Sequence, residues 1–442
     1  MSLSESCDLF AANDGIPELT IKNERLIETI HETADLFGAK YSWGPLATDT
    51  GVCRLALSDE DKGMRDWFVK EAEKAGCGIA IDDMGNIFAI YPGRKNGLPT
   101  AIGSHLDTQP TGGRYDGIYG VLSGLEVVRT LKDNDYVPEY PIAVVSWTNE
   151  EGARFPMSMM ASTVWANPAK KDEIYNLTSV TDTKPVTVKH ELERIGYLGP
   201  FKCSFEGMGL AAHFELHIEQ GPILETEKKE IGRVQGIQAL KWIEVSIKGK
   251  AQHTGTTPFA SRSDALLAAS KFMVKGNEIA ALHDGLFSVG ILEVLPGVVN
   301  VVPQEVKFVM DIRHHCDEEL DDMYLETLKA FQEIAQLSGK KLCFEVKHLV
   351  NQKAVFFDEA CMDCIKRSAD QVVGIDQSIP IVSGAGHDSG LVAARCPTAM
   401  IFIPSRDGVS HNPEEYSTPQ QVQNGFKVLL GAVLRYDKLR SK

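Results

Sequence analysis

The chain has 442 residues, 43% of them apolar and 24% charged, and a formal net charge of −16 from 45 basic and 61 acidic residues. That length exceeds one ordinary hydrophobic core, so two domains are expected. The acidic balance argues against a nucleic-acid partner and gives no reason to expect an anionic membrane surface. The N-terminal MSLSESCDLFAANDG lacks the apolar core of a signal peptide, no apolar run is long enough to span a bilayer, and the nine cysteines are scattered. Together these predict a cytoplasmic protein.

Leu26, Ile30, Ala34 and Phe37 recur at helical spacing. A second helix is predicted from Ser58, with Asp61 as its capping-box partner, to Gly76. Gly78 to Ile81 and Ile87 to Tyr91 flank a turn-rich segment and predict a hairpin. Strand-like and helix-like segments then alternate: strands at Thr100 to Gly103, Ile142 to Trp147, His213 to His217 and Thr398 to Ile403, and helices at Ile118 to Lys132 and Gln420 to Leu439. Alternation of this kind predicts an α/β domain with a mainly parallel sheet flanked by helices. The polar segment from Asn167 to Met208, with a helix near Val186 to Ile195, reads as a surface elaboration. Cys361 and Cys364 share a predicted helix and read as a buried face.

Residues 239–354 read differently. Ile243, Val245 and Ile247 alternate with polar neighbours, as on a half-exposed strand. A helix at Asp264 to Lys275, strands at Leu286 to Val294 and Val306 to Arg313, a helix at Glu318 to Leu337 and a strand at Lys341 to Lys347 follow. The order βαββαβ predicts a ferredoxin-like α+β module. It is inserted between a first part of the larger domain, residues 1–238, and a second part, residues 355–442.

Carboxylates and imidazoles gather just after the predicted strands, the edge at which open α/β sheets bind ligands. His105 and Asp107 follow the first strand, and Asp116 sits in GGRYDG just before a helix. Glu150 and Glu151 are adjacent after Trp147; side by side in one cleft they repel unless a cation or a proton intervenes. His217 closes another strand, and His411 lies in SHNPEE, a short loop beyond Ile403. Singly, each reads as a turn, an acidic surface or a structural histidine; at one sheet edge they form a nitrogen and oxygen donor set without thiolate. That set suits Zn²⁺, Mn²⁺ or Co²⁺.

GSHLDTQP, GRYDGIYGVL, NEEGARF, ELHIEQGP, AQHTGTTP, SGAGHDSG and SHNPEEYS, in this order, resemble the amidase/carbamoylase branch of the two-zinc aminoacylase and carboxypeptidase clan. Within it the pattern is most similar to the β-alanine synthases (β-ureidopropionases) of yeast type. The resemblance implies a zinc-peptidase-like catalytic domain carrying a lid and dimerisation domain, and hydrolysis of N-carbamoyl-β-alanine, a small ureido acid, to β-alanine, carbon dioxide and ammonia. It implies two zinc ions per chain. One is held by His105 with His217 or Glu151, the other by the remaining ligands and His411, and Asp116 bridges them. It implies Glu150 as general base, Asp107 orienting His105, a cis peptide at Asp116–Gly117, and His253 polarising the scissile carbonyl. Asn300 and Arg313 hold the substrate carboxylate on this reading, and Gln220 and His387 contact the substrate. Arg313 ends an alternating strand on the polar face, opposite Phe308 and Ile312. The resemblance also implies a homodimer through the lid, with His253 acting in the partner's site.

The alternatives are an N-carbamoyl-L-α-amino-acid hydrolase or an allantoate amidohydrolase, which share the metal centre, and a catalytically silent binding protein on the same fold. All metal ligands and Glu150 are present, which disfavours the silent protein.

Overall fold

The computed structural model describes residues 7–10, 16–338 and 342–441. The chain divides into two compact units, one of residues 1–236 with 356–442 and one of residues 237–355. No helix of the described residues is long and apolar enough to cross a membrane.

The first unit is built on a nine-stranded sheet. Its centre is parallel: Ile142–Trp147, Thr100–His105, Ala212–Ile218 and Thr398–Ile403 lie side by side in that order. These four strands are buried at every residue, as strands covered by helices on both faces must be. The flanks are antiparallel. Gly78–Ile81 and Ile87–Tyr91 form the expected hairpin against Ile142–Trp147, and Ile231–Ile237 pairs with Thr398–Ile403. The sheet is therefore mixed, with a parallel core; in the Gly78–Ile81 and Ile87–Tyr91 pair the short connecting turn itself requires the antiparallel direction.

Local signals set the helix ends. Ser58 caps Asp59–Ala75 by accepting the Asp61 N–H at 3.2 Å. The Asp61 carboxylate accepts from the Leu57 N–H and the Arg65 guanidinium, so the capping box is not reciprocal. Thr418 and Gln421 form a complete capping box at the start of Pro419–Arg440. Cys361 and Cys364 are buried on the helix Glu359–Val372.

The 167–208 segment is more than a surface elaboration. Ile174, Val188, Leu192, Ile195 and Cys203 enter the main core. The buried Arg154 of the NEEGARF loop pairs with Asp182 at 3.0 Å and with Glu191 at 2.7 Å. The segment supplies the counter-charges for an arginine three residues from Glu151.

The second unit is a four-stranded antiparallel sheet in the order Leu286–Leu295, Glu305–His314, Ala239–Lys248, Cys343–Gln352. With the helices Ala265–Leu282 and Asp317–Leu337 this is the ferredoxin-like arrangement. Val306, Phe308, Met310 and Ile312 are buried from one face of their strand, and Phe272 stacks on Phe331 beneath it. The first helix runs seven residues, about two turns, past its expected end at Lys275. The last strand runs to Gln352 rather than Lys347; its expected start at Lys341 lies outside the described residues.

Candidate active site and metal centre

The parallel strands of the first unit end together, and their ends carry the site. His105 is the last residue of its strand and His217 the last but one of its own. Glu150 and Glu151 follow Trp147 by three and four residues, and Asp116 precedes the helix Ile118–Asp133. Gly117 makes the turn into that helix at φ +69°, a conformation L side chains rarely adopt. Asp116–Gly117 is not cis; among the described residues the cis peptide is Leu295–Pro296. The left-handed glycine supplies the change of direction without the cost of a cis bond.

Two clusters share one carboxylate. His105 Nε2 and His217 Nε2 lie 3.6 and 3.1 Å from Asp116 Oδ1. His411 Nε2 lies 3.3 Å from Asp116 Oδ2 and 3.3 Å from Glu151 Oε2. His105, Asp116 and His217 thus form one potential metal group, and Asp116, Glu151 and His411 another. Glu150 Oε2 stands 3.6 Å from His105 Nε2, outside both groups.

The imidazole tautomers fit cation binding. His105 Nδ1 donates to the Asp107 carbonyl and His217 Nδ1 to the Ile218 carbonyl, both at 2.9 Å. A carbonyl only accepts, so both protons sit on Nδ1 and both Nε2 lone pairs face Asp116. The electrostatics point the same way. Burial would raise Asp116, but the imidazoles of His105, His217 and His411 packed against it hold it well below the usual carboxylate range. Burial, reinforced by Asp388 and Glu151, pushes Glu150 well above that range. Burial and the Asp116 charge push Glu151 up to about 7. His411 is raised to about 9, chiefly by its hydrogen bond to Asp116. Three crowded carboxylates beside three imidazoles constitute a site that a cation would neutralise.

Asp107 does not hold the His105 ring through its carboxylate. Its main-chain carbonyl does that, while the carboxylate accepts the N–H of Glu150 and of Glu151, each at 3.3 Å. The side chain is buried behind the loop and cannot turn to the imidazole without abandoning both amides. Gln220 donates to Asp116 Oδ2 at 2.8 Å from a backbone at φ +58°. His387 is buried edge-on against His217 and hydrogen-bonds Ser383, and burial drives it down to about 3.

Several polar residues around the centre escape the motif reading. Gln109 donates to Glu151 Oε2 at 2.8 Å. Glu215 accepts from Ser104 and Ser389 at 2.8 and 2.6 Å, beneath His217. It groups with His217 and His387 as a third possible ligand set, but its oxygens are already occupied by hydroxyls. The signal was present: His213, Glu215 and His217 alternate on one strand face. Asp388 is buried beside His387 and hydrogen-bonds Ser162; no spacing rule marked it.

In the second unit His253 and Asn300 lie close together. The two-residue strand Gln252–His253 pairs with Val301–Val302, and the Thr254 N–H donates to the Asn300 carbonyl at 3.0 Å. Both residues are exposed. Arg313 is at the other end of the sheet, opposite Leu240 and Leu286, while Glu305 at the near end pairs with Lys248 and Leu295. Eight residues at about 3.3 Å each put roughly 26 Å between Glu305 and Arg313. The Arg313 guanidinium forks onto Asp311, with Nε to Oδ1 at 2.9 Å and Nη2 to Oδ2 at 2.7 Å. The structure therefore does not bring Asn300 and Arg313 of one chain together.

Residues 101–435 match the sequence profile of Peptidase family M20/M25/M40. An N-carbamoyl-L-amino-acid amidohydrolase of Rhizobium meliloti is 39% identical over 388 residues, which cover 87% of this chain and 91% of that protein. A ureidoglycolate hydrolase of Arabidopsis thaliana is 33% identical over 400 residues, covering 87% of this chain and 82% of the relative. The crystal structure of an amidase of the hydantoinase/carbamoylase family from Burkholderia multivorans superposes with a TM-score of 0.84 at 42% identity, covering 94% of this chain and 97% of the other. A profile match over most of the chain, and relatives that align along nearly its whole length, show that the chain belongs to peptidase family M20/M25/M40.

Proposed function

We infer that the protein is a divalent-metal-dependent amidohydrolase that cleaves the ureido C–N bond of N-carbamoyl-L-α-amino acids. The observation that carries the chemistry is the sharing of Asp116 between two donor groups, with the buried Glu150 beside them and outside both. The substrate class is supported by the relative from Rhizobium meliloti. N-carbamoyl-β-alanine, which the motif resemblance favours, takes second place because that relative is named for L-amino-acid substrates.

His105, Asp116 and His217 would hold one cation and Asp116, Glu151 and His411 the other, with zinc, manganese or cobalt suited to the donors. The ions would supply Lewis-acid polarisation and neutralise charge. Glu150 takes the proton of the attacking water, since its burial favours the protonated form once it has done so. It then returns that proton to the departing amine. His253 donates to the carbonyl oxygen as negative charge develops there. Arg313 and Asn300 receive the substrate carboxylate, Arg313 exchanging its fork from Asp311. Gln220 and His387 line the substrate side of the centre. Water adds to the ureido carbon, the C–N bond to the amino acid breaks, and the carbamate released decays to carbon dioxide and ammonia.

A small ureido acid cannot touch His253 or Asn300 and also Arg313 when all belong to one lid sheet, given the strand length between them. This supports a homodimer in which His253 reaches the partner's site. The edge strand Leu286–Leu295 exposes Leu286, Ile291, Leu292 and Leu295, a surface suited to self-pairing.

The test is a comparison of kcat/KM on metal-reconstituted enzyme for N-carbamoyl-L-alanine, N-carbamoyl-L-methionine, N-carbamoyl-β-alanine, allantoate and ureidoglycolate. The L-α substrates are expected to lead by at least about tenfold, the effect of one well-made contact. A lead for N-carbamoyl-β-alanine, allantoate or ureidoglycolate would overturn the substrate class, and no turnover of any of the five would overturn the reaction.

A further inference from the structure

Asp116 and His411 come from loops far apart in sequence, and both must be aimed at one point for the second donor group to exist. His411 is a weakly supported ligand by itself: it sits on a loop at φ +54° with half of its side chain exposed. Glu415 joins the two loops. Its buried carboxylate accepts the N–H of Tyr115 and of Asp116 on one oxygen, both at 3.0 Å. Its other oxygen meets Ser410 Oγ at 3.1 Å, and the same hydroxyl is 3.1 Å from Asp116 Oδ2. The seat is made to fit. A Cβ on Gly113 would fall 2.3 Å from both Cβ and Oε1 of Glu415, so only glycine lets the 113–117 turn close on this side chain.

Resting on the reading that the five side chains of the two donor groups bind two cations, we propose that Glu415 is a positioning residue of the metal centre. It clamps the turn bearing Asp116 to the loop bearing His411 and so sets the distance between the shared carboxylate and that imidazole. Its counterpart is Asp107, which takes the two amides of Glu150 and Glu151, one on each carboxylate oxygen. Between them, two buried carboxylates hold the main chain of both acidic ligand loops. The role requires an acceptor at this place rather than a charge: a glutamine amide oxygen can take both N–H groups, and its NH₂ can donate to Ser410.

Cation binding tests this without reference to turnover. Apo-protein of the native sequence and of Glu415→Gln, Glu415→Ala and Gly113→Ala is titrated with zinc against a competing chelator, and stoichiometry is read by native mass spectrometry. The native and Glu415→Gln proteins are expected to bind two cations. Glu415→Ala and Gly113→Ala are expected to keep one and to bind the other roughly 10- to 100-fold more weakly, the scale of outer-shell losses. Should Glu415→Ala fail to fold by circular dichroism, Gly113→Ala, which removes no polar group, carries the comparison. Two cations bound with native affinity by the alanine variants would overturn the clamp and leave the function standing. So would a loss in Glu415→Gln as large as that in Glu415→Ala. Fewer than two cations on the native protein would overturn the metal reading itself, and the clamp with it.

Discussion

The carboxylate of Asp107 holds Glu150 by its main chain, accepting its N–H at 3.3 Å while the neighbouring oxygen takes that of Glu151. The proposed proton acceptor and a candidate metal ligand are thereby fixed by one side chain through their main-chain amides. Asp107→Ala is expected to lower kcat by roughly 10- to 100-fold and to weaken cation binding, with Asp107→Asn, which keeps an acceptor oxygen, losing less. Equal losses in both variants would show that the charge of Asp107, and not its hydrogen bonds, is what matters.

Glu150→Gln should keep both cations and the fold, because Glu150 lies outside both donor groups. Removing the proton acceptor is expected to lower kcat by roughly 10²- to 10⁴-fold. Near-normal kcat in a variant with two cations bound would move the role of base to another group.

Arg313→Lys removes a planar fork that a lysine cannot reproduce. The expected loss is roughly 10- to 100-fold in kcat/KM for substrates with a free carboxylate, the scale of a charge-assisted pair. An uncharged amide analogue of the substrate should be turned over poorly by the native enzyme and change little in the variant. Matching losses on the two substrates would assign Arg313 to the fold, through its pair with Asp311.

His253 is tested in trans by mixing. Chains carrying Glu150→Gln and chains carrying His253→Ala should each be nearly inactive. If His253 serves the partner's site, each mixed dimer has one intact site; with half the dimers mixed, about a quarter of native activity returns. Activity that stays at the mutant background after subunit exchange, with exchange verified by mass spectrometry, would place His253 in its own chain's site.

Stability should fall in mild acid partly through His213. Burial pushes its imidazole from 6.5 down to about 4, where it packs against Trp147 and hydrogen-bonds Ser389. Between those values the unfolded chain binds more protons than the folded one, so the stabilisation is present above pH 6.5 and is lost as pH falls toward 4. Between pH 7 and pH 5 this single group should cost about 2 kcal/mol. Urea unfolding at the two pH values should show a smaller difference for His213→Gln than for the native protein; an unchanged difference would mean that other groups account for the acid sensitivity.

What the sequence determined by itself was whatever is encoded within a few residues. The alternation of Val306, Phe308, Met310 and Ile312 named a strand and its buried face, and Ser58 and Gly76 marked the two ends of a helix. The short polar motifs after each strand marked the residues that gather at the sheet edge. Tertiary structure alone decided how those residues divide. Whether His217 or Glu151 joins His105 depends on where strands at 105 and 217 sit relative to a loop at 151, and no local pattern carries that distance. The same holds for Asp107, whose spacing from His105 suggested a ring contact, yet whose side chain was drawn to two amides more than forty residues away. Glu415 is the plainest case, since its partners at Tyr115 and Asp116 are about three hundred residues distant. Periodicity and capping follow from backbone geometry over one or two turns, whereas a buried carboxylate takes whichever unpaired N–H groups the fold brings within reach.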